Sequence, residues 1–151
     1  MMRFTGLRKG RPHTVDQLEF VIRLLKRSRR SRHSALQIAC FDPAKDHTGQ
    51  AVRGFPCLQQ VSIAQDDQRR LAINAYYPTQ YIFDRAYGNY LGLCHLGQFL
   101  AHETNSTFVR LSCYVGQPIL GNVSKRDVRS LAEFVRTRID GDAGGKSDNG
   151  D

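Results

Sequence analysis

The residues best suited to chemistry lie in the run Phe55-Pro56-Cys57, directly before a segment of alternating apolar residues. Proline fixes its own backbone φ, so it would hold the chain where a loop enters a strand. A thiol at such a place could be a positioned nucleophile, because the thiolate of cysteine attacks electrophilic carbons. The alternative is a small apolar side chain at the edge of the core. The residues alone leave both interpretations open.

The other three cysteines lie inside apolar runs and are expected to be core residues. They are Cys40, Cys94 and Cys113. The chain has no C-x-x-C pair, and the cysteine spacing matches no zinc-binding pattern. Reduced thiols of this kind predict a cytoplasmic protein. The first residues lack the apolar core of a secretory signal, and no apolar run is long enough to cross a membrane.

Length and composition predict one soluble domain, since the chain has 151 residues, 40% of them hydrophobic and 24% charged. The net charge is +8, and most of the excess lies in residues 1–33. Such a basic stretch predicts an anionic partner, which could be a nucleotide phosphate, a nucleic acid or an acidic protein. A solvated basic surface without a partner is the alternative.

Hydrophobic periodicity predicts an α+β domain that would position these residues. The predicted helices cover about 15–27, 89–103 and a last segment capped by Ser124 and Asp127. The predicted strands cover 35–41, 58–64, 69–77 and 107–116, the second and third forming an antiparallel hairpin.

The two ends of the chain have no such pattern. Residues 1–13 are expected to be irregular, and Thr14 with Gln17 forms a capping-box pattern for the first helix. The polar residues 140–151 are expected to form a disordered tail. The folded domain is therefore predicted to cover 1–139.

The order of these segments resembles the thymidylate synthase and pyrimidine nucleotide hydroxymethylase family. Three motifs carry the resemblance. The run RSRRSRHSALQIACFDP is similar to the family's Ser-Arg-Arg segment before a strand, and FPC is similar to its Pro-Pro-Cys. The run YYPTQYIFDRAYGNYLGL is similar to the segment with the phosphate-binding Arg-Ser and the pyrimidine-reading Asn. The resemblance covers about 15–120 and the second half of the family domain, and implies a mixed, largely antiparallel sheet with packed helices.

The resemblance also implies a reaction: transfer of a methyl or hydroxymethyl group to C5 of a pyrimidine nucleoside 5′-monophosphate such as dUMP. Cys57 would be the nucleophile that adds to ring C6. Asn89 would read the ring by accepting from N3–H and donating to O4. The substrate-binding set is completed by Arg30, Arg32, Thr79 and Gln80.

Arg30 and Arg32 could hold the 5′-phosphate by charge-assisted hydrogen bonds, and Thr79 lies where the family has a phosphate-binding serine. In the family such arginines reach across a two-fold interface, which implies a homodimer. The family also implies methylenetetrahydrofolate as the one-carbon donor. A companion subunit could supply the first half of the family domain.

The chain departs from the family pattern at three positions. Pro78 lies where a phosphate-binding arginine is expected, Tyr81 where an aspartate is expected, and His33 where the second arginine of the run is expected. Two other functions stay open. The chain could be a nucleotide-binding or dimeric partner protein without catalysis, or a basic nucleic-acid-binding module.

Several candidate residues also have purely structural interpretations. Asn89 could serve only as a helix N-cap, and Arg30 and Arg32 could belong to a solvated turn. Asp84 and Arg85 are expected to form a surface ion pair.

Overall fold

The computed structural model describes residues 3–8, 11–27, 32–47, 49 and 55–144. The elements are β1 (Arg3–Arg8), β2 (Arg11–Asp16), α1 (Gln17–Lys26), β3 (Gln37–Ala39), α2 (Pro43–Asp46), β4 (Gln60–Gln65), β5 (Arg70–Tyr81), α3 (Tyr87–Thr104), β6 (Thr107–Ile119) and α4 (Lys125–Gly144). A 3₁₀ turn at His33–Ala35 precedes β3, and a π-helical turn at Ile82–Ala86 leads directly into α3. The chain is α+β, as predicted.

The main sheet has four strands in the order β3-β4-β5-β6. β4 and β5 form the predicted antiparallel hairpin, and β3 is antiparallel to β4. β6 is parallel to β5, because α3 carries the chain back along the sheet before β6 begins. The sheet is therefore mixed and largely antiparallel, which confirms the predicted class.

The hydrophobic core lies between one face of this sheet and the helices α1 and α3. Ile73 at the centre of β5 and Leu100 on α3 are both completely buried. Gly97 lets α3 approach β6 closely, since a Cβ there would lie 2.5 Å from the ring of Phe108. A Cβ on Gly92 would meet nothing within 4 Å.

The opposite face of the sheet carries exposed aromatic side chains. Tyr76 on β5 and Tyr114 on β6 are register partners, and their rings stack with centroids 5.6 Å apart. They are 38% and 68% exposed. Among the described residues, the helices α1 and α3 therefore cover only one face of the sheet.

Two predictions at the beginning of the chain are wrong. β1 and β2 pair as an antiparallel hairpin in the segment that was expected to be irregular. Asp16, rather than Thr14, caps α1, because its carboxylate accepts hydrogen bonds from two backbone N–H groups of the first turn. Aspartate is among the strongest N-capping residues, and its place directly before the helix decides the cap.

At the other end of the domain, Ser124 caps α4 as predicted, its hydroxyl accepting from the N–H of Asp127 at 3.2 Å. α4 continues to Gly144, past residue 139, where the domain was expected to end. A helix that has already formed adds further residues at little cost. Among the residues placed in the structure, no helix has the length and apolarity needed to span a bilayer.

Candidate functional site

A cavity of about 620 Å³ opens where the segment before β4, the end of β5 and the first turn of α3 meet. Sites for small ligands have volumes of roughly 300–1,000 Å³. The cavity is lined by Cys57, Thr79, Gln80 and Asn89. The sequence had assigned these four residues to one substrate site, and the fold places them around one space.

Cys57 is exposed and lines this cavity. The chain just after it is anchored on two sides by Gln59. The N–H of Gln59 donates to the carbonyl of Tyr76 at 3.0 Å, and its own carbonyl accepts from the N–H of Cys40 at 2.8 Å. The thiol therefore sits two residues from a fixed point of the sheet.

The chain just before Cys57 is held by an aromatic contact. The ring of Phe55 packs against that of Phe41, with centroids 5.4 Å apart, and Pro56 restricts the backbone between Phe55 and the thiol. Phe55 and Pro56 also line the cavity. The local sequence thus positions the thiol at the cavity wall rather than in the sheet core.

The other three thiols are half-buried. Burial raises the pKa of the Cys40 thiol, and burial together with the neighbouring Cys94 raises the pKa of Cys113. Both groups are therefore less available as thiolates at neutral pH. Of the four thiols, Cys57 is the exposed one.

The end of β5 forms a second wall of the cavity. Gly116 on β6 lies against Pro78, and a Cβ on this glycine would be 2.8 Å from the carbonyl oxygen of Pro78. Gln80 follows and is only 3% exposed. Its Oε1 accepts a hydrogen bond from the hydroxyl of Tyr90 at 2.8 Å. Thr79 and Gln80 both line the cavity, and their predicted role in substrate binding stays a prediction.

Asn89 lies in the first turn of α3. That helix begins at Tyr87, and no side chain caps it, so the alternative interpretation of Asn89 as the N-cap is wrong. The π-helical turn at Ile82–Ala86 continues directly into α3 and therefore moves the helix start ahead of Asn89. Turns of this kind occur often at functional sites.

The expected ion pair between Asp84 and Arg85 does not form. Asp84 instead accepts a hydrogen bond from the N–H of Asn122 at 3.3 Å. Gly121 adopts a positive φ of +90° beside it, and a Cβ there would lie 2.5 Å from the Asp84 carboxylate. Within the ranges that the structure covers, no ion pair involves Arg85, and Arg85 lines the cavity.

Comparison with known proteins gives a match of structure alone. No family model matches the sequence. No curated protein matches it either. The structure is similar to the thermostable thymidylate synthase A from Bacillus subtilis, with a TM-score of 0.53 and 16% sequence identity. The chain has a thymidylate-synthase-like fold.

The match covers 73% of this chain and 38% of the Bacillus subtilis chain. This chain thus corresponds to well under half the length of that enzyme. The thymidylate-synthase-like fold predicted from the sequence is confirmed.

Of the two arginines predicted to bind the phosphate, the structure describes Arg32 alone. Arg32 is exposed, precedes the 3₁₀ turn and is not part of the cavity wall. Arg30 lies outside the residues that the structure describes.

Sequence reasoning missed three polar residues of the cavity wall, Asp84, Arg85 and Asn122. Arg85 stood beside Asp84, and an ion pair between neighbours was the simpler interpretation. Asn122 contributes from a turn after β6. The N–H of Phe83 donates to the carbonyl of Leu120 at 3.4 Å, and the N–H of Asn122 donates to Asp84, so two hydrogen bonds bring that turn to the cavity. Arg85 lies within the segment that resembles the family's substrate site. Its positive charge at that place was the signal that could have identified it.

Proposed function

We propose that the cavity binds a pyrimidine nucleoside 5′-monophosphate and that Cys57 is the nucleophile in the transfer of a methyl or hydroxymethyl group to ring C5. One observation carries the proposal. Cys57, Thr79 and Asn89 come from three separate segments and line the same cavity. These are the residues for which the sequence resemblance implied the nucleophile, a phosphate contact and the ring contact.

The proposed chemistry begins at ring C6, because C5 of a pyrimidine is a poor nucleophile on its own. Addition of the Cys57 thiolate forms an S–C6 bond and moves the C5=C6 electrons towards O4, which makes C5 an enolate carbon. C5 would then bond to the one-carbon unit and lose its proton, while the bond between that unit and its carrier breaks. Addition of water, which loses a proton, would give the hydroxymethyl group, and addition of a hydride from the reduced carrier would give the methyl group. Cleavage of the S–C6 bond restores the ring double bond and the thiolate.

Asn89 would stabilise the negative charge that develops on O4 during this addition. Its carboxamide accepts from N3–H and donates to O4. Cytosine has no proton on N3 and carries an amino group at C4. The carboxamide in this role therefore favours uracil over cytosine.

Arg85 and Thr79 would hold the 5′-phosphate. Pro78 lies where the family has a phosphate-binding arginine, and proline carries no charge. Arg85 would supply the missing cation, because a guanidinium forms paired, charge-assisted hydrogen bonds with phosphate. The Thr79 hydroxyl can donate one more hydrogen bond to the same group.

The cavity also has residues that fit a folate as the one-carbon donor. Phe55 and Tyr81 line it and remain 48% and 44% exposed, so they offer aromatic faces on which a pterin ring would stack. When bound, methylenetetrahydrofolate would supply the electrophilic carbon.

The proposed active form is a homodimer that pairs through the sheet face bearing Tyr76 and Tyr114. This face carries stacked, exposed aromatic rings, and such residues are enriched at protein interfaces. Arg32 is exposed and outside its own chain's cavity, so it would serve the site of the partner.

Intact-mass analysis with a 5-fluoropyrimidine nucleoside monophosphate and methylenetetrahydrofolate tests the proposal. We expect a covalent adduct on Cys57 that is absent from Cys57→Ser. Saturable nucleotide binding with no adduct would instead indicate a binding protein without catalysis. Polynucleotide binding with a steep salt dependence, and no binding of mononucleotides, would indicate a nucleic-acid-binding module.

A further inference from the structure

Gln80 carries a polar atom that no other described residue satisfies. Its side chain lines the cavity and is only 3% exposed. Oε1 accepts the hydrogen bond from Tyr90, whereas Nε2 is buried with no hydrogen-bond partner in the part of the chain that the structure describes. Native proteins leave few buried donors without an acceptor, because such a donor has lost its water and gained nothing. Its place at a cavity wall points to an acceptor on a ligand.

The Tyr90 hydroxyl fixes the orientation of this amide. Tyr90 follows Asn89 in the first turn of α3, so the 2.8 Å hydrogen bond ties the end of β5 to the turn that carries Asn89. Burial, with a smaller contribution from Cys113, raises the pKa of Tyr90. The phenol therefore keeps the proton that it donates to Oε1, and Nε2 is the end of the amide that lacks a partner among the described residues.

Resting on the proposed function, we infer that Gln80 is a second ring-reading amide, which donates from Nε2 to a carbonyl oxygen of the pyrimidine. Asn89 and Gln80 line the same cavity, and the Tyr90 hydrogen bond holds them at neighbouring points of its wall. Uracil has a carbonyl oxygen for each of the two amides. Cytosine has only one, so the pair selects a uracil nucleotide.

Gln80→Met tests the role, because methionine has a similar length and no donor. We expect calorimetry to show about a tenfold loss of affinity for dUMP, the size of one hydrogen bond in binding. Affinity for ribose 5-phosphate, which lacks the ring, should not change. The midpoint of thermal unfolding without ligand should stay the same or rise, since the unsatisfied buried donor is gone. Gln98→Met, at an exposed position of α3, is the matched control and should change none of these quantities.

A second variant, Tyr90→Phe, keeps Gln80 but removes the hydroxyl that orients it. We expect a smaller loss for dUMP and again none for ribose 5-phosphate. Should Gln80→Met not fold, this variant decides. An equal loss for both ligands in either variant, or a lower unfolding midpoint with unchanged dUMP binding, would make Gln80 a structural residue and overturn the inference.

The wild-type protein separates this inference from the proposed function. If the wild type binds dUMP and exchanges its C5 proton, and both variants bind dUMP equally well, the inference fails while the proposed function stands. If the wild type binds no pyrimidine nucleotide, both are overturned.

Discussion

Cys57 and Asn89 line one cavity although one precedes β4 and the other lies in the first turn of α3. The β4–β5 hairpin and the π-helical turn after β5 bring the two segments together. A thiol on one wall and a carboxamide on another suit the proposed pyrimidine ring bound between them.

Cys57 should be the first of the four thiols to react with a limiting thiol reagent near neutral pH. It is exposed, whereas burial raises the pKa of both Cys40 and Cys113. A pyrimidine nucleoside 5′-monophosphate should protect it, as peptide mass mapping would show. Cys57→Ser should change the free energy of unfolding by no more than about 0.5 kcal/mol, as expected at an exposed position. Fastest labelling of Cys40, Cys94 or Cys113 would remove Cys57 from the proposed role.

Arg85→Gln should weaken binding of a uridine 5′-monophosphate by about 1.5–3 kcal/mol, the typical worth of a hydrogen bond to a charged group. Binding of uridine without the phosphate should not change, and calorimetry with the two ligands separates these effects. Arg126→Gln removes an exposed cation at the start of α4, outside the cavity, and serves as the control. Equal losses in both variants would indicate a diffuse basic surface instead.

Arg32 should act on the site of a partner chain. Light scattering is expected to show a dimer, and Arg32→Ala and Cys57→Ser should each abolish turnover when pure. In a random mixture of the two, about a quarter of the sites would have both native residues and turn over, as two-fold symmetry requires. A mixture as inactive as its components, or a monomer in solution, would contradict the dimeric site.

Tyr77 should make the fold sensitive to alkali. It is 2% exposed, and burial, followed by the nearby Cys113, raises its pKa from 10.0 to about 12. The folded protein keeps a phenolic proton that the unfolded chain loses above pH 10, so stability is complete below pH 10 and falls as the pH approaches 12. The loss should reach up to about 3 kcal/mol in denaturant titrations.

Substitution of the same residue checks the cause of that loss. Tyr77→Phe should flatten the decline, while Tyr114→Phe, on the exposed sheet face, should leave it unchanged. The same slope in all three proteins would assign the alkaline loss to other groups.

Local sequence patterns predicted those parts of the fold that depend on interactions between residues close in the chain. The alternation in 58–64 and 69–77 predicted the β4–β5 hairpin, since register follows from the apolar face and a short turn. The parallel pairing of β6 with β5 depends on the path of α3 across the sheet. Local sequence patterns do not predict that path. The β1–β2 hairpin was likewise missed in a segment without clear alternation.

Some residues of the candidate site could likewise be predicted from the sequence, and others depend on the packing of the chain. Cys57, Thr79, Gln80 and Asn89 could be assigned from motif order. Arg85 could not be assigned in this way. Asp84 does not pair with Arg85 but accepts a hydrogen bond from Asn122, a residue far along the chain. The unsatisfied Nε2 of Gln80 is also a property of packing, since a sequence does not show which polar atoms lack a partner.

The most direct test of the central claim is exchange of the C5 proton of dUMP with solvent deuterium, followed by NMR without any folate. If Cys57 adds to C6, a deuteron from solvent can bond to C5, the original proton can leave, and cleavage of the S–C6 bond returns the labelled nucleotide. We predict that the H5 signal disappears with the wild-type protein and persists with Cys57→Ser. Persistence of the signal at saturating dUMP with the wild type, or equal exchange by both proteins, would contradict Cys57 as the nucleophile.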